Sequence, residues 1–176
     1  MKPMLLLEDT RNRPGKHEIK HRWFKKNGIR LERCKLYVGD YTLPTNQSIC
    51  IDTKQDLQEL ITDVTKEHER FKRELIRAQE AGIQLVILVE HGYGIDSLDA
   101  VRSWKNPRKH QIRWRYNPVT CKREKYVISP KAVDGEQLYK SLQTMIDRYG
   151  VQFVFCEKDE SGQKIVEILS HDRKRS

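Results

Sequence analysis

Ile83-Gln84-Leu85-Val86-Ile87-Leu88-Val89 is an apolar run of strand length, broken only by Gln84. A strand with one wet face alternates apolar and polar residues, so a run this continuous predicts a central strand covered on both faces. The residues ahead of it supply a cover. Leu57, Val64, Phe71 and Ala78 recur every seven residues, and Leu60, Ile61 and Leu75 fill the same face. This predicts a long helix stopped by Gly82, with a break near Thr65 and Lys66. Before it, residues 49–54 read as a strand after the turn Pro44-Thr45-Asn46. Residues 29–43 read as two strand pieces bent at Gly39-Asp40. A short strand over residues 3–8, the turn signal Asn12-Arg13-Pro14-Gly15, and a helix carrying Ile19, Trp23 and Phe24 and ending at Asn27-Gly28 complete this half. The order strand, helix, strands, helix, strand is that of an α/β domain.

Beyond the loop Gly92-Tyr93-Gly94 the composition changes. Residues 102–125 hold nine Lys and Arg but one acid, Glu124, a local charge of +8. The whole chain, with 34 Lys and Arg against 25 Asp and Glu, is only +9. Its basic character is therefore concentrated in one segment. Asn117-Pro118 lies between residues 112–116 and 125–129, which predicts an inserted β-hairpin within a basic insertion at about 102–128. Asp134 reads as a helix N-cap with Gln137 three residues on, a capping box, followed by the helical face Leu138, Leu142, Met145, Ile146 and Tyr149. Residues 151–156 read as a strand, 163–170 as an amphipathic stretch, and Arg173-Lys174-Arg175-Ser176 as a frayed tail.

At 176 residues the chain reads as a single domain over 1–176, large enough to fold without a disulfide or metal staple. No apolar run approaches the roughly 20 residues of a spanning helix, and Met4-Leu5-Leu6-Leu7, running into Glu8-Asp9, is short for a signal peptide. Cys34, Cys50, Cys121 and Cys156 form no CxxC pair and read as reduced. The expectation is a cytoplasmic or nucleic-acid-associated protein, not secreted, with an anionic partner and no membrane.

The segment richest in chemistry is Gly39-Asp40-Tyr41 followed by Ile51-Asp52-Thr53-Lys54. Residues two apart on a strand share a face, so Asp52 and Lys54 project together, while Thr53 points into the core and offers its backbone carbonyl. If Asp40 sits at the bend of the neighbouring strand, its carboxylate meets that of Asp52. Two carboxylates, a carbonyl and water form the oxygen set that Mg²⁺ or Mn²⁺ prefers. Lys54 could orient a water or neutralise charge on a phosphate. On the spacing alone, a solvated strand end is the favoured reading.

Glu8-Asp9-Thr10-Arg11, Val38-Gly39-Asp40-Tyr41 and Ile51-Asp52-Thr53-Lys54, in that order, resemble the nuclease domain of the XPF-type structure-specific endonucleases, within the PD-(D/E)xK nuclease superfamily. That family shows an Asp-x-Arg after the first strand, then GDY or GDF, then a VERKxxxD strand-to-helix motif. The likeness spans about the first ninety residues. It implies a restriction-endonuclease-like mixed sheet flanked by helices, and metal-dependent hydrolysis of DNA phosphodiesters at flaps, branches or junctions in recombination or repair. It implies a Mg²⁺ or Mn²⁺ cofactor held by Asp9, Asp40, Asp52 and the Thr53 carbonyl, with Lys54 as catalytic lysine. Arg11 and Arg70 fall where the family places basic residues near the scissile phosphate, and a homodimer is expected because family nuclease domains pair. The sequence departs from the pattern in three places. Asp52 stands for the usual Glu, Thr53 for Arg, and Gln58 for the closing Asp, for which Asp56 and Glu59 are the substitutes. The chain also has no room for the tandem helix-hairpin-helix domain of eukaryotic and archaeal members, so their substrate preference is not carried over. The compact form suits a phage, mobile-element or prokaryotic nuclease.

Two other readings compete. A catalytically inactive DNA-binding partner would share the fold. His17-Glu18-Ile19-Lys20-His21 matches the HExxH pattern of zinc metalloproteases, although Lys20 sets a cation beside the metal and no third ligand follows closely. Glu18 could instead be an acid on the first helix near a nuclease metal. In the basic segment, Trp104, His110, Trp114 and Tyr116 interleave with the cations. Cations give phosphate affinity and aromatic faces stack on unpaired bases, so Arg108, Lys109, Arg113, Trp114, Arg115, Lys122 and Arg123 are expected to contact DNA, branched or partly single-stranded.

Overall fold

The computed structural model describes residues 4–13 and 15–171. Eight strands and five helices follow in the order β1 (Leu5–Asp9), α1 (Glu18–Lys26), β2 (Arg30–Cys34), β3 (Tyr41–Leu43), β4 (Asn46–Lys54), α2 (Leu57–Thr65), α3 (His68–Glu80), β5 (Gln84–Val89), β6 (Ile112–Asn117), β7 (Lys122–Val127), α4 (Gly135–Tyr149), β8 (Gln152–Phe155) and α5 (Ser161–His171). Six of the strands form one mixed sheet in the order β2-β1-β3-β4-β5-β8. β1 runs parallel to β2, β3 is antiparallel to β1 and β4, and β5 is parallel to both β4 and β8. This is the mixed sheet flanked by helices expected of a restriction-endonuclease-like fold.

The apolar run sits where its composition demands. Leu85, Ile87 and Val89 face a core with Leu57, Leu60, Phe71, Leu75, Leu138 and Leu142 from α2, α3 and α4. Val86 and Leu88 face the opposite core, with Phe24 of α1 and Ile165 and Leu169 of α5. Alternation along β5 thus feeds two helical layers at once. The expected long helix is two helices, broken at Lys66 and Glu67 as the sequence indicated. Asp134 and Gln137 cap α4 with both reciprocal bonds in place. Among the described residues no helix is long and apolar enough to cross a membrane.

Two details differ from expectation. Residues 29–43 are not one ladder bent at a glycine, because β2 and β3 lie on opposite sides of β1 and residues 35–40 carry the chain across. On α1, Ile19 is 48% exposed while Lys20 turns inward. The swap has an electrostatic cause, since buried Lys20 pairs with buried Glu90 at the end of β5. The expected tail 173–176 lies outside the described residues.

β6 and β7 form a separate two-stranded ribbon, confirming the inserted hairpin. Two short 3-10 turns, Asp99–Ser103 and Pro107–His110, lead into it. Its root is pinned by Asn106, whose amide donates to the Val133 carbonyl at 2.7 Å and accepts from Gln58 at 2.7 Å.

Candidate active site

The turn ahead of β3 closes onto β4 through Gly39. Its φ of +71° is left-handed, and a Cβ there would meet the Ile51 carbonyl oxygen at 2.9 Å. Only glycine permits that approach without strain. Asp40 N–H then donates to the Ile51 carbonyl at 2.7 Å, and the Asp40 carbonyl accepts from Asp9 N–H at 2.8 Å. Tyr41 turns inward, fully buried, and its hydroxyl donates to Glu8 Oε1 at 2.9 Å. The three residues of the motif are thus a close approach, an acid and an anchor.

Asp40 Oδ2 accepts from Thr53 N–H at 2.9 Å and from the Thr53 hydroxyl at 2.6 Å. The Thr53 side chain therefore does more than fill core: it orients the neighbouring acid. Asp52 and Lys54 share a side of β4 as expected. Lys54 Nζ lies 2.6 Å from Asp52 Oδ2 and 2.8 Å from Asp63 Oδ2 of α2, and 5.5 Å from the Phe71 ring centroid. Asp52, Lys54 and Asp63 are 7%, 7% and 4% exposed. Glu74 of α3 closes the far side, accepting from Gly39 N–H at 3.0 Å. These groups head a cleft of about 360 Å³ whose rim carries Arg11, Arg70, Arg73 and Arg77.

The charges do not balance inside. Burial pushes the Asp52 carboxyl up; Lys54 opposes this, but Asp40 and Glu74 add to it, leaving a pKa of about 7. Asp40 is likewise raised, by burial above all, against the two bonds from Thr53. Burial pulls the Lys54 ammonium down, yet Asp52 and Asp63 together overcome it and hold the pKa above the ordinary lysine value. Neighbouring carboxylates with one shared ammonium keep a proton that a hard cation would replace.

Whether the residues fit a divalent ion follows from their free oxygens. Among the described residues Oδ1 of Asp40 and Oδ1 of Asp52 receive no hydrogen bond. No group of three or more His, Cys, Asp or Glu side chains among the described residues is set to hold a metal by itself. Two hard carboxylates completed by backbone carbonyl and water suit Mg²⁺, which retains several waters. The donor set fits.

Asp9 was expected beside that ion, and the structure gives it other work. Its Oδ1 accepts from Arg11 N–H and Arg11 Nε, both at 2.7 Å, and its Oδ2 from Arg11 Nη2 and Leu36 N–H, both at 2.8 Å. All four acceptor positions are filled. Burial would raise this carboxyl, but the Arg11 and Leu36 bonds outweigh it and hold it below the usual carboxylate range. Asp9 is thus a bidentate clamp that sets Arg11 on the cleft rim.

Of the two substitutes for the closing Asp, Glu59 lines the cleft and Asp56 does not, and both have their carboxylates engaged elsewhere than on Lys54. Asp56 caps α2 by accepting from Glu59 N–H at 2.8 Å, and Glu59 takes Lys16 Nζ and Gln55 N–H, each at 2.8 Å. The acid that meets Lys54 is Asp63, a residue the sequence reading missed. Its signal was a carboxylate three residues past Leu60, on the apolar face of α2. Glu74, three residues past Phe71, was missed for the same reason. Arg70 lines the cleft, exposed, with Nη2 3.4 Å from Asp63 and Nε 3.3 Å from Glu67.

The HExxH residues are engaged in packing. His21 Nε2 contacts Glu8 Oε1 at 2.8 Å. His17 is buried edge-on against Tyr41, and burial, with Lys20 and Lys16 nearby, lowers its pKa to about 4. Glu18 is exposed and lines an adjoining cleft with Lys16, Lys20 and Lys158, apart from Asp40 and Asp52.

None of the basic residues expected on the insertion lines the acidic cleft. Arg108 and Lys109 lie in the 3-10 turn, Lys109 Nζ 3.1 Å from Asp134. On the ribbon, register sets Arg113, Arg115 and Lys122 on one face and Trp114 and Arg123 on the other.

The architecture matches solved structures of known proteins. XPF from Aeropyrum pernix superposes with a TM-score of 0.60 at 14% identity, covering 97% of this chain and 66% of that one. The structure titled XPF from Aeropyrum pernix in complex with DNA gives a TM-score of 0.59 at 14% identity, covering 98% and 66%. The chain therefore spans just under two thirds of the length of those chains. No curated protein sequence matches it. A sequence model, that of the ERCC4 domain, matches residues 9–168, a span that takes in Asp9-Thr10-Arg11, both later motifs and the ribbon, and on that match the chain belongs to the ERCC4 domain family.

Proposed function

We propose that this chain hydrolyses DNA phosphodiesters with a divalent metal, at branched, flapped or junction DNA. The observation that carries the reading is the pair Asp40 and Asp52, the first half-buried and the second buried, under-neutralised, and lining one cleft with an arginine rim. Asp40, Asp52 and the Thr53 carbonyl would hold Mg²⁺ or Mn²⁺. When bound, such an ion polarises the phosphoryl oxygen and acidifies the attacking water.

The chain's own groups do the rest. Lys54, kept protonated by Asp52 and Asp63, acts as a fixed cation that orients water and offsets charge on the phosphate as it grows. It is too firmly protonated to serve as a base. Thr53 aims Asp40, and Asp63 aims Lys54. Arg11, fixed by Asp9, and Arg70 draw in the flanking phosphates. Hydrolysis breaks one P–O bond, water supplies the new oxygen, and the leaving oxygen takes a proton from solvent.

The competing reading, an inactive DNA-binding member of the same fold, lacks a reason to keep Lys54 between two buried acids. The test is a panel of single-stranded, duplex, flap and four-way-junction DNA with Mg²⁺, Mn²⁺ and EDTA. Metal-dependent cutting that disappears in Asp52→Ala and Lys54→Ala supports the reading. Cutting by both variants at the parent rate overturns it, and so does parent protein that binds these DNAs without cutting any.

A further inference from the structure

The β6–β7 ribbon carries its aromatic residues where a folded domain does not leave them. Trp114 is 60% exposed, Tyr116 57% and Ile112 55%. Register pairs them across the ribbon with Lys125, Arg123 and Val127, so one face holds two rings, two aliphatic side chains and two cations, and no acid. Lys125 Nζ stands 5.1 Å from the Trp114 ring centroid. The ribbon's one acid, Glu124, is on the opposite face, held by Asn117 at 2.9 Å and Thr120 at 2.7 Å. A lone two-stranded hairpin is marginal in water, so a face of this composition calls for a partner.

We infer that the Ile112, Trp114 and Tyr116 face binds unpaired bases of a single-stranded nucleic acid by stacking. This rests on the nucleic-acid reading above and names the part of the substrate that the ribbon takes. Charge is one argument, since the +8 segment selects a polyanion. Spacing is the other. Residues two apart on a strand stand about 7 Å apart, which is about twice the 3.4 Å rise per base of one strand. Each ring therefore fits between successive bases that have been unstacked. Paired bases do not present those faces, whereas any unpaired base does. Arg113 and Arg115, on the other face, contribute phosphate attraction but no stacking, with Arg115 set 5.4 Å from the Tyr126 ring.

The experiment measures binding of oligothymidine and of a duplex of equal length in EDTA, where nothing is cut, so a failed nuclease reading leaves its outcome readable. Trp114→Ala and Tyr116→Ala should each weaken oligothymidine binding about tenfold, change duplex binding less than about twofold, and leave the salt dependence as in the parent. Trp114→Phe should restore most of the loss. Oligothymidine should quench tryptophan fluorescence in the parent but not in Trp114→Ala, which retains Trp23 and Trp104. Equal losses on duplex and single strand, unchanged oligothymidine affinity, or a self-association of the parent that Trp114→Ala abolishes would each overturn the inference.

Discussion

The cleft and the ribbon are opposites in charge, burial and tolerance. At the head of the cleft, Lys54 ties Asp52 of β4 to Asp63 of α2 while Thr53 holds Asp40 beside them, and moving one unbalances the rest. On the ribbon, residues of similar importance face water and touch only each other. Chemistry needs groups fixed to within a fraction of an ångström, which only packed elements provide, while capture of a flexible strand needs reach. The difference predicts that cleft variants fail by losing rate, and ribbon variants by losing grip.

The sharpest break comes from the cleft. Lys54→Ala and Asp52→Asn should each lower cleavage by about 10³-fold, the scale of losing one preorganised electrostatic group, with DNA affinity in EDTA changed less than threefold. A loss confined to affinity would erase the division between the two regions. Asp63→Asn should fall between, with kcat lower by about 10- to 100-fold and KM little changed, because it touches Lys54 and not the substrate. Asp56→Asn, which alters only a helix cap, is the control and should keep near-parent kcat with a small drop in Tm.

How much of this was legible from residues depended on periodicity. The run 83–89 announced a doubly covered strand because alternation had disappeared, and the cover from residues 57–78 was found, whereas the opposite cover from α1 and α5 was not named as one. Asp40, Asp52 and Lys54 could be found because a strand fixes which residues project together. Asp63 and Glu74 could not, because nothing local in a helix says which distant side chain its buried acid meets. The bonding of Asp9 was hidden for a related reason. Its motif names the residue, but only coordinates show four donors filling its oxygens. Lys20 shows the same limit, since its inward turn depends on Glu90, seventy residues away. On the ribbon, the alternation was readable, yet the opposition of Arg113 to Trp114 emerged only with the strand register.

The cleft's charge imbalance gives a pH test in metal-free protein. An acid with a higher pKa folded than unfolded grips its proton harder in the folded chain. Asp52, at about 7 against an ordinary value near 3.9, thus contributes stability at low pH that is lost as pH rises through that interval. Asp40 acts in the same direction. His17 acts oppositely: at about 4 against an ordinary 6.5, its burial disfavours the folded chain increasingly as pH falls below 6.5. In EDTA His17 therefore offsets most of the Asp52 loss, and Tm should decline by only about 2 °C between pH 5 and 7.5. Asp52→Asn should flatten that decline or reverse it below pH 6.5, where His17 is left to set the slope. A parent Tm that climbs steadily over this range would show the carboxylates to be fully ionised in the empty site.

The smallest effect belongs to the ribbon's other face. Arg113→Gln with Arg115→Gln removes two phosphate-directed charges and no ring, so single-strand affinity at moderate salt should fall only severalfold. The diagnostic quantity is the slope of log affinity against log salt, which should become shallower by about 1.4, near 0.7 for each released contact on single strands. Trp114→Ala should leave that slope unchanged while lowering the whole line. Parallel lines for one pair of variants and a flattened line for the other would show that register has divided stacking from charge along a single strand pair. If the arginine variants also give parallel lines, the two faces do not differ in kind, and the ribbon holds DNA as one undivided surface.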